Sequence, residues 1–343
     1  MVSTVTAPHR TVLTDCVRQA VQAPSLHNSQ PWRFRLGRGR IDVYADRGRR
    51  LTVLDPAARE LMMSVGAAVF TARLALRAAG FASVVDLFPD AAEPDLVARL
   101  TAVRQAPPTA VAQALAEAVG RRHTNRWPFI RAAVPARTVA ALQDAARREG
   151  TELGLVGPEA RHGVLDLARW ADGRLRMMPG YRTELTRWVA GPPSRRDGVP
   201  AWAMGPDDPR AGVPVRHFAE LLPFPLPVGH FETEPTVLLL STGGDTVFEH
   251  IAAGQALQRV LLTATWLGLA AMPISQPLEL STTRDKLSGT GPGSTAQILL
   301  RVGYGRPVRA TPRRPLEDVL LPTGGRATTE PPRPARPRRW RAR

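Results

Sequence analysis

Two spacings of apolar residues alternate along this chain. From Thr11 to Ala23 they recur at helical intervals. From Trp32 to Tyr44 they alternate with polar residues around Gly37-Arg38-Gly39, which predicts a β-hairpin. Arg59 to Ala79 predicts a long helix stopped at Gly80, in the place of a C′ glycine. Phe81 to Phe88 predicts a strand closed by Pro89. Asp95 to Val119 predicts a mostly helical stretch, and Val139 to Arg148 a further helix. Val237 to Ser241 predicts a buried strand, Glu249 to Leu267 a long apolar helix ended by Gly268, and Thr295 to Val302 a strand before Gly303-Tyr304-Gly305. Helices separated by strands and hairpins predict a layered α+β protein.

Two of these helices read as copies. Gly66 to Gly80 and Gly254 to Gly268 both place glycines fourteen residues apart, and Ala68/Ala256, Leu74/Leu262 and Pro89/Pro277 keep the same offset of 188. Fourteen residues is about four turns, which predicts both glycines of a helix on one face, open to close approach by a helix or a ligand. An earlier pair, Thr11-Val12 and Thr138-Val139, opens two similar helices at an offset of 127. The growth in offset predicts about sixty extra residues in the second copy, between 150 and 250. Gly191 to Pro235 carries ten prolines and the aromatics Trp202, Phe218, Phe224 and Phe231. It reads as a packed excursion, either a lid or a surface insertion.

The chain has 343 residues, a net charge of +16 and one cysteine, Cys16. A lone cysteine rules out an internal disulfide and fits a cytoplasmic setting. The N-terminus lacks a signal-type apolar core. The longest apolar stretch, Val260 to Pro273, is too short to span a bilayer and reads as buried helix, so no membrane partner is expected. The charge invites a nucleic-acid reading, yet Thr323 to Arg343 alone holds seven Arg against one Glu, in a Pro-rich segment of disordered composition. A nucleic-acid or anionic-surface role through this tail ranks third among the functional readings. Histidines lack metal-ligand spacing, and neither a Gly-x-Gly-x-x-Gly nor a Gly-x-Ser-x-Gly motif is present. No metal is expected.

Four segments carry candidate chemistry. Pro24-Ser25-Leu26-His27-Asn28-Ser29-Gln30-Pro31-Trp32 follows a helix and precedes the hairpin. It clusters backbone N–H groups, a hydroxyl and an amide that suit a ligand edge of alternating donors and acceptors; a helix-closing Asx turn explains the same residues. In Arg122-His123-Thr124-Asn125-Arg126 alternate residues share a side in an extended chain, so two guanidiniums and a hydroxyl make a phosphate site or a solvated basic linker. The third segment is Arg301-Val302-Gly303-Tyr304-Gly305 with the downstream Arg313 and Arg314, and the fourth is Met272-Pro273-Ile274-Ser275-Gln276-Pro277.

The first segment resembles the Pro-Ser-x-x-Asn-x-Gln-Pro-Trp-x-Phe signature of the nitroreductase superfamily, and its Leu26-His27 pair is similar to the Acg-type branch. The second is similar to that family's Arg-x-Ser-x-Arg/Lys phosphate element, with Thr124 in place of Ser. The resemblance implies an α+β, three-layer fold with two fused repeats forming a pseudo-dimer: 11–120 as the first half, and 121–320 as the second half with its insertion at 191–235. It implies one FMN per chain and a degenerate second site, because residues 1–12 lack the phosphate element and no second Pro-Ser-x-x-Asn follows Arg148. The implied FMN contacts are Ser25 and Asn28, the phosphate ligands Arg122, Thr124 and Arg126, the C-terminal Arg313 and Arg314, and the flavin N5 loop at Ser275 and Gln276. His27 is a candidate to face flavin or substrate.

The implied activity is an FMN-dependent oxidoreductase, with NADPH or NADH as transient reductant and a nitroaromatic, a quinone or a specialised metabolite as small-molecule acceptor. The alternative is an FMN-sequestering protein under a lid. Monomer and homodimer both remain open.

Overall fold

A computed structural model describes residues 7–189, 191–192, 194–207, 212–289 and 294–322. The basic tail, 323–343, lies outside them, and so does any test of a nucleic-acid role through it.

In the first part of the chain, helix α1 (Arg10–Ala20) leads through the 24–31 loop into β1 (Trp32–Gly37) and β2 (Arg40–Ala45). Helix α2 (Arg59–Ala78) follows, then β3 (Phe81–Leu87), β4 (Leu96–Gln105) and α3 (Ala110–Val119). The four strands form an antiparallel sheet ordered β1-β2-β4-β3. The second part repeats the plan. It runs α4 (Ala136–Arg147), β5 (Glu152–Leu155), α5 (Pro158–Arg176), α6 (Tyr181–Trp188), β6 (Thr236–Thr242), α7 (Val247–Trp266), β7 (Ala270–Ile274), α8 (Ser281–Leu287), β8 (Thr295–Gly303) and α9 (Leu316–Val319). Its sheet is ordered β5-β6-β8-β7, again antiparallel. The α+β class and the two-repeat plan read from the sequence are therefore present.

The repeats meet where α2 crosses α7. A Cβ placed on Gly66 would lie 2.3 Å from the carbonyl oxygen of Ile251, and one on Gly254 would lie 1.9 Å from that of Met63. Residues 63 and 251 are separated by the same 188 positions as the two glycines, so the contact is reciprocal, as across a two-fold axis. Gly80 and Gly268 do not share this helix face. They sit beyond the helix ends with φ of 88° and 77°, where glycine adopts the left-handed cap without strain.

Two sequence expectations need correction. Asp95 to Val119 is not mostly helical: Leu96 to Gln105 is β4, in the middle of its sheet. Buried Leu96, Ala98 and Leu100 alternate with residues that face across the sheet, and Arg99 Nε donates to Asp42 Oδ1 at 2.7 Å. The helix propensity of Ala, Leu and Arg yields there to pairing on both sides. The apolar run from Val260 to Pro273 is not one helix but the end of α7, the turn at Gly268 and the start of β7. Helix α2 is long and apolar enough to cross a membrane, but 83% of its most apolar window is buried in protein, as a core helix.

The connection from β5 to β6 spans 156–235, whereas β1 and β2 are joined by two residues. This excursion opens with α5 and α6 and reaches back to the first half. Leu175, Tyr181, Leu185, Val199, Met204 and Phe218 bury against Leu51 and Leu54. Glu184 accepts from the backbone N–H groups of Val53 and Leu54 at 3.0–3.1 Å. The C-terminal segment also crosses over: Leu320 bridges in parallel with Phe34, and Val319 is buried in the first core. Both crossings bring second-half residues to the 24–31 loop.

Candidate functional site

Between the halves lies a cleft. One wall is the loop Pro24–His27 with Glu60, Met63 and Ser64 of α2. The other is Thr124 and Arg126, Met272, Pro273, Ser275 and Gln276, and Leu257 of α7. Arg216 and Phe218 of the excursion close a third side.

The 24–31 loop is held in an uncommon form. His27, Asn28 and Gln30 all have positive φ, at 47°, 55° and 50°, and each costs about 1 kcal/mol or more in that well. Ser25 Oγ accepts from Gln30 N at 2.9 Å, which closes the loop on itself. Asn28 is occupied by protein: Nδ2 donates to the carbonyls of Gly198 and Pro312 at 2.9 and 3.0 Å, and Oδ1 accepts from Arg313 at 3.0 Å. Its side chain clamps the loop between the excursion and the C-terminal segment, and it does not line the cleft. His27 does. It is buried, its ring meets that of Phe218 edge-on at 6.0 Å, and its Nε2 is buried without a hydrogen-bond partner. Burial, with Arg216 and Arg126 nearby, holds the imidazole well below its usual pKa, so it is neutral.

The phosphate candidates divide into two groups. Arg122 donates to Gln22 O at 3.2 Å, and Arg313 to the same oxygen at 3.3 Å. Arg122 is buried and Arg313 half-buried, no carboxylate of the described residues pairs with either, and the Nε atoms of both are buried without partners. Burial lowers Arg122 to about 10, and burial together with Arg122 lowers Arg313 to about 9. His123 is pulled down to about 4 by burial and then by the same two cations. Two cations sharing one carbonyl oxygen with no acid between them suit an anion. None of Gln22, Arg122 and Arg313 lines the cleft itself; Gln22 lies two residues before Pro24 and Arg122 two before Thr124, both of which do.

Arg126 and Arg314 are elsewhere. Arg126 lines the cleft, donates to Ala203 O at 2.8 Å and stands over the Phe218 ring at 5.7 Å. Thr124 lines the cleft from a parallel bridge to Ala271. Arg314 turns away: its N–H donates to Gln30 Oε1 at 2.8 Å, its guanidinium to Asp318 O at 2.6 Å, and Asp46 lies 3.7 Å away. Ser275 and Gln276 both reach the cleft. Ser275 Oγ donates to Glu279 Oε1 at 2.7 Å and accepts from Arg216 at 3.1 Å; Gln276 Nε2 donates to Pro214 O at 3.3 Å.

Glu60, Arg216 and Phe218 escaped sequence reasoning. Arg216 pairs with Glu279 and donates to the Tyr181 hydroxyl at 3.2 Å. Nothing in a proline-rich segment marks one arginine as buried; only the burial of apolar Leu175 and Tyr181 beside it would have hinted at a returning chain.

The offset of 188 maps Glu60 onto Phe248 and Phe88 onto Gln276. There the rings of Phe88 and Phe248 pack edge-on at 5.4 Å. The position equivalent to this part of the cleft is filled by an aromatic pair.

No family model matches the chain. It is 36% identical over 324 residues to a protein of Mycobacterium tuberculosis H37Rv named as a provisional NAD(P)H nitroreductase, covering 91% of this chain and 90% of that one. To the Acg protein of the same organism, named likewise, it is 29% identical over 332 residues, covering 91% and 97%. A crystal structure of an FMN and NADPH-dependent nitroreductase from Sphigopyxis sp. strain HMH overlaps 62% of this chain and 99% of its own at 18% identity and a TM-score of 0.40, too loose to carry an argument. With sequence similarity running through both repeats and the 24–32 loop at the cleft wall, the chain belongs to the nitroreductase superfamily, in its Acg-type branch.

Proposed function

We propose that the chain is an FMN-dependent oxidoreductase that binds one flavin in the cleft between its halves. The observation that carries this is the meeting of Arg122 and Arg313 at Gln22 O, with no described carboxylate paired to either, two residues along the chain from the cleft-lining Pro24 and Thr124. Such a pair fits a phosphate monoester, which supplies the charge and the acceptor oxygens that both guanidiniums lack. The orphaned Nε2 of neutral His27 fits a ring edge that bears a donor. FMN, when bound, would supply hydride transfer between a nicotinamide reductant and a nitroaromatic or quinone. The protein's own part is to anchor the phosphate, keep Arg126 beside the ring site and exclude water with Phe218. One flavin per chain is expected, because Phe88 and Phe248 fill the equivalent position.

A visible spectrum of the purified protein, followed by anaerobic NADPH, tests this reading. A flavin spectrum that bleaches supports it. Absence of flavin, with none taken up from added FMN, overturns it.

A second reading, flavin sequestration, has one observation in its favour. The excursion covers the cleft with Arg216 and Phe218 and is fastened through Glu279, Ser275 and Tyr181. If the excursion acts as a lid, bound flavin bleaches slowly with NADPH, and loosening the fastening speeds it.

A further inference from the structure

Glu60 is the one carboxylic acid among the described residues that line the cleft. It is 6% exposed and lies in the first turn of α2. Its Oε1 accepts from Arg59 Nη2 at 2.7 Å, and no described residue hydrogen-bonds its Oε2. Arg59 is itself fixed by the carbonyls of Gln297 and Leu278 at 2.7 and 3.3 Å, so the carboxyl is oriented rather than free. Ser64 Oγ donates to Glu60 O at 2.7 Å and accepts from Leu26 N at 3.3 Å, tying this turn to the loop that carries His27.

We propose that Glu60 is the proton donor of the cleft, delivering its carboxyl proton to the oxygen of a bound electron acceptor and recovering it from water at the cleft mouth. The proposal rests on the oxidoreductase reading. A quinone becomes a hydroquinone by gaining a hydride equivalent and a proton. The hydride equivalent originates in the nicotinamide reductant. The proton forms the new O–H bond as the Glu60 O–H bond breaks, leaving its electron pair on the carboxylate. One reduced nicotinamide, one quinone and one proton are consumed; one oxidised nicotinamide and one hydroquinone are formed.

The surroundings suit this task. The charged groups facing Glu60 are Arg59 of its own helix, Asp55 before it, Arg216 of the excursion and Glu279 after β7; helix α7 and strand β8 present Leu257 and Ile298. Burial pushes the carboxyl up most. Glu279 and Asp55 add to it, Arg59 and Arg216 oppose it, and the balance lies above the usual carboxylate range. The upward shift favours the protonated carboxyl, the form from which a proton can be delivered. The other groups of the cleft do not combine these properties: His27 is already deprotonated, and Arg126 holds its proton up to about 10.

The test compares the FMN-loaded full chain with Glu60→Gln, an isosteric change that keeps an acceptor toward Arg59. The reduced proteins are mixed with a benzoquinone between pH 6 and pH 10. The wild-type rate is expected to fall about tenfold per pH unit above the pKa, and the variant to be about a hundredfold slower at pH 7 and flat with pH. A second readout needs no turnover: infrared titration of the wild-type protein should show a carboxylic acid band that persists above pH 7 and is missing from Glu60→Gln. Equal pH profiles in the two proteins, or a band already lost by pH 6, overturn the role of Glu60. Failure of both proteins to bind flavin overturns the oxidoreductase reading instead, and the infrared titration still decides whether Glu60 carries the proton.

Discussion

Arg301 and Glu232 face each other in the core through two hydrogen bonds of 2.6 Å. Arg301, on β8, is fully buried; its guanidinium lies 3.6 Å from the Phe129 ring centre and also donates to Trp127 O at 3.2 Å. Glu232, at the end of the excursion, accepts a further bond from Phe129 N at 3.0 Å. The pair thus pins the stretch directly after Arg122–Arg126. Removing one partner of such a pair leaves an uncompensated buried charge, which costs about 3–5 kcal/mol. Glu232→Gln should lower the thermal midpoint by several degrees. A midpoint unchanged from wild type would show that the pair holds nothing in place.

Arg122→Ala and Arg313→Ala should each weaken FMN binding about tenfold to a hundredfold, the effect of losing one charge-assisted contact. Riboflavin, which lacks the phosphate, should bind the variants and the wild type alike. Fluorescence titration with both flavins separates a phosphate role from a general loss of the cleft. Arg314→Ala should leave both affinities near wild type, since its guanidinium serves Asp318 and Gln30.

Gly254→Ala should destabilise the fold by about 3 kcal/mol, since a methyl 1.9 Å from Met63 O forces α2 and α7 apart. Gly66→Ala acts on the same crossing. The double variant should therefore cost less than the two singles added, because one separation relieves both clashes. Urea denaturation of the three variants measures this; strict additivity would argue that the crossing does not move as a unit.

Acid should destabilise the protein through its buried histidines, a trend that Glu60 opposes because its folded carboxyl keeps a proton that the unfolded one gives up. Unfolded histidine takes up a proton near 6.5, whereas His123 resists until about 4 and His27 lies well below 6.5. At these two histidines the unfolded chain binds more protons below pH 6.5, so their contribution to stability falls with falling pH and is fully present above that point. His123→Gln should flatten the fall in urea midpoint between pH 7 and pH 5. An identical slope in the variant would contradict the burial of His123 beside Arg122 and Arg313.

Arg216→Ala removes the cation that Glu279, Ser275 and Tyr181 share. If the excursion restricts access to the cleft, NADPH should bleach bound flavin several-fold faster in this variant. Stopped-flow absorbance decides; an unchanged rate would assign Arg216 to packing alone.

The sequence by itself was enough for the repeat and for part of the site. Glycine has no side chain to compensate, so a helix crossing that needs Gly66 and Gly254 leaves a mark at a constant offset, and the left-handed caps at Gly80 and Gly268 leave another. A loop such as Pro24–Trp32 specifies its own turn through local hydrogen bonds, so it too is legible. What each side chain then does was decided by chain segments far away in sequence. Asn28 was spent on Gly198 and Pro312 because two crossing segments arrive with unpaired carbonyls. Arg122 found Arg313 rather than Arg126, because a bridge from Thr124 to Ala271 fixes which way the strand turns and the C-terminal segment returns to the first half. β4 became a strand despite its helix formers because two neighbours were waiting to pair with it. Local spacing records what a segment prefers; burial, ion pairing and access to the cleft depend on which distant segment covers it, and that exists only once the halves have closed on each other.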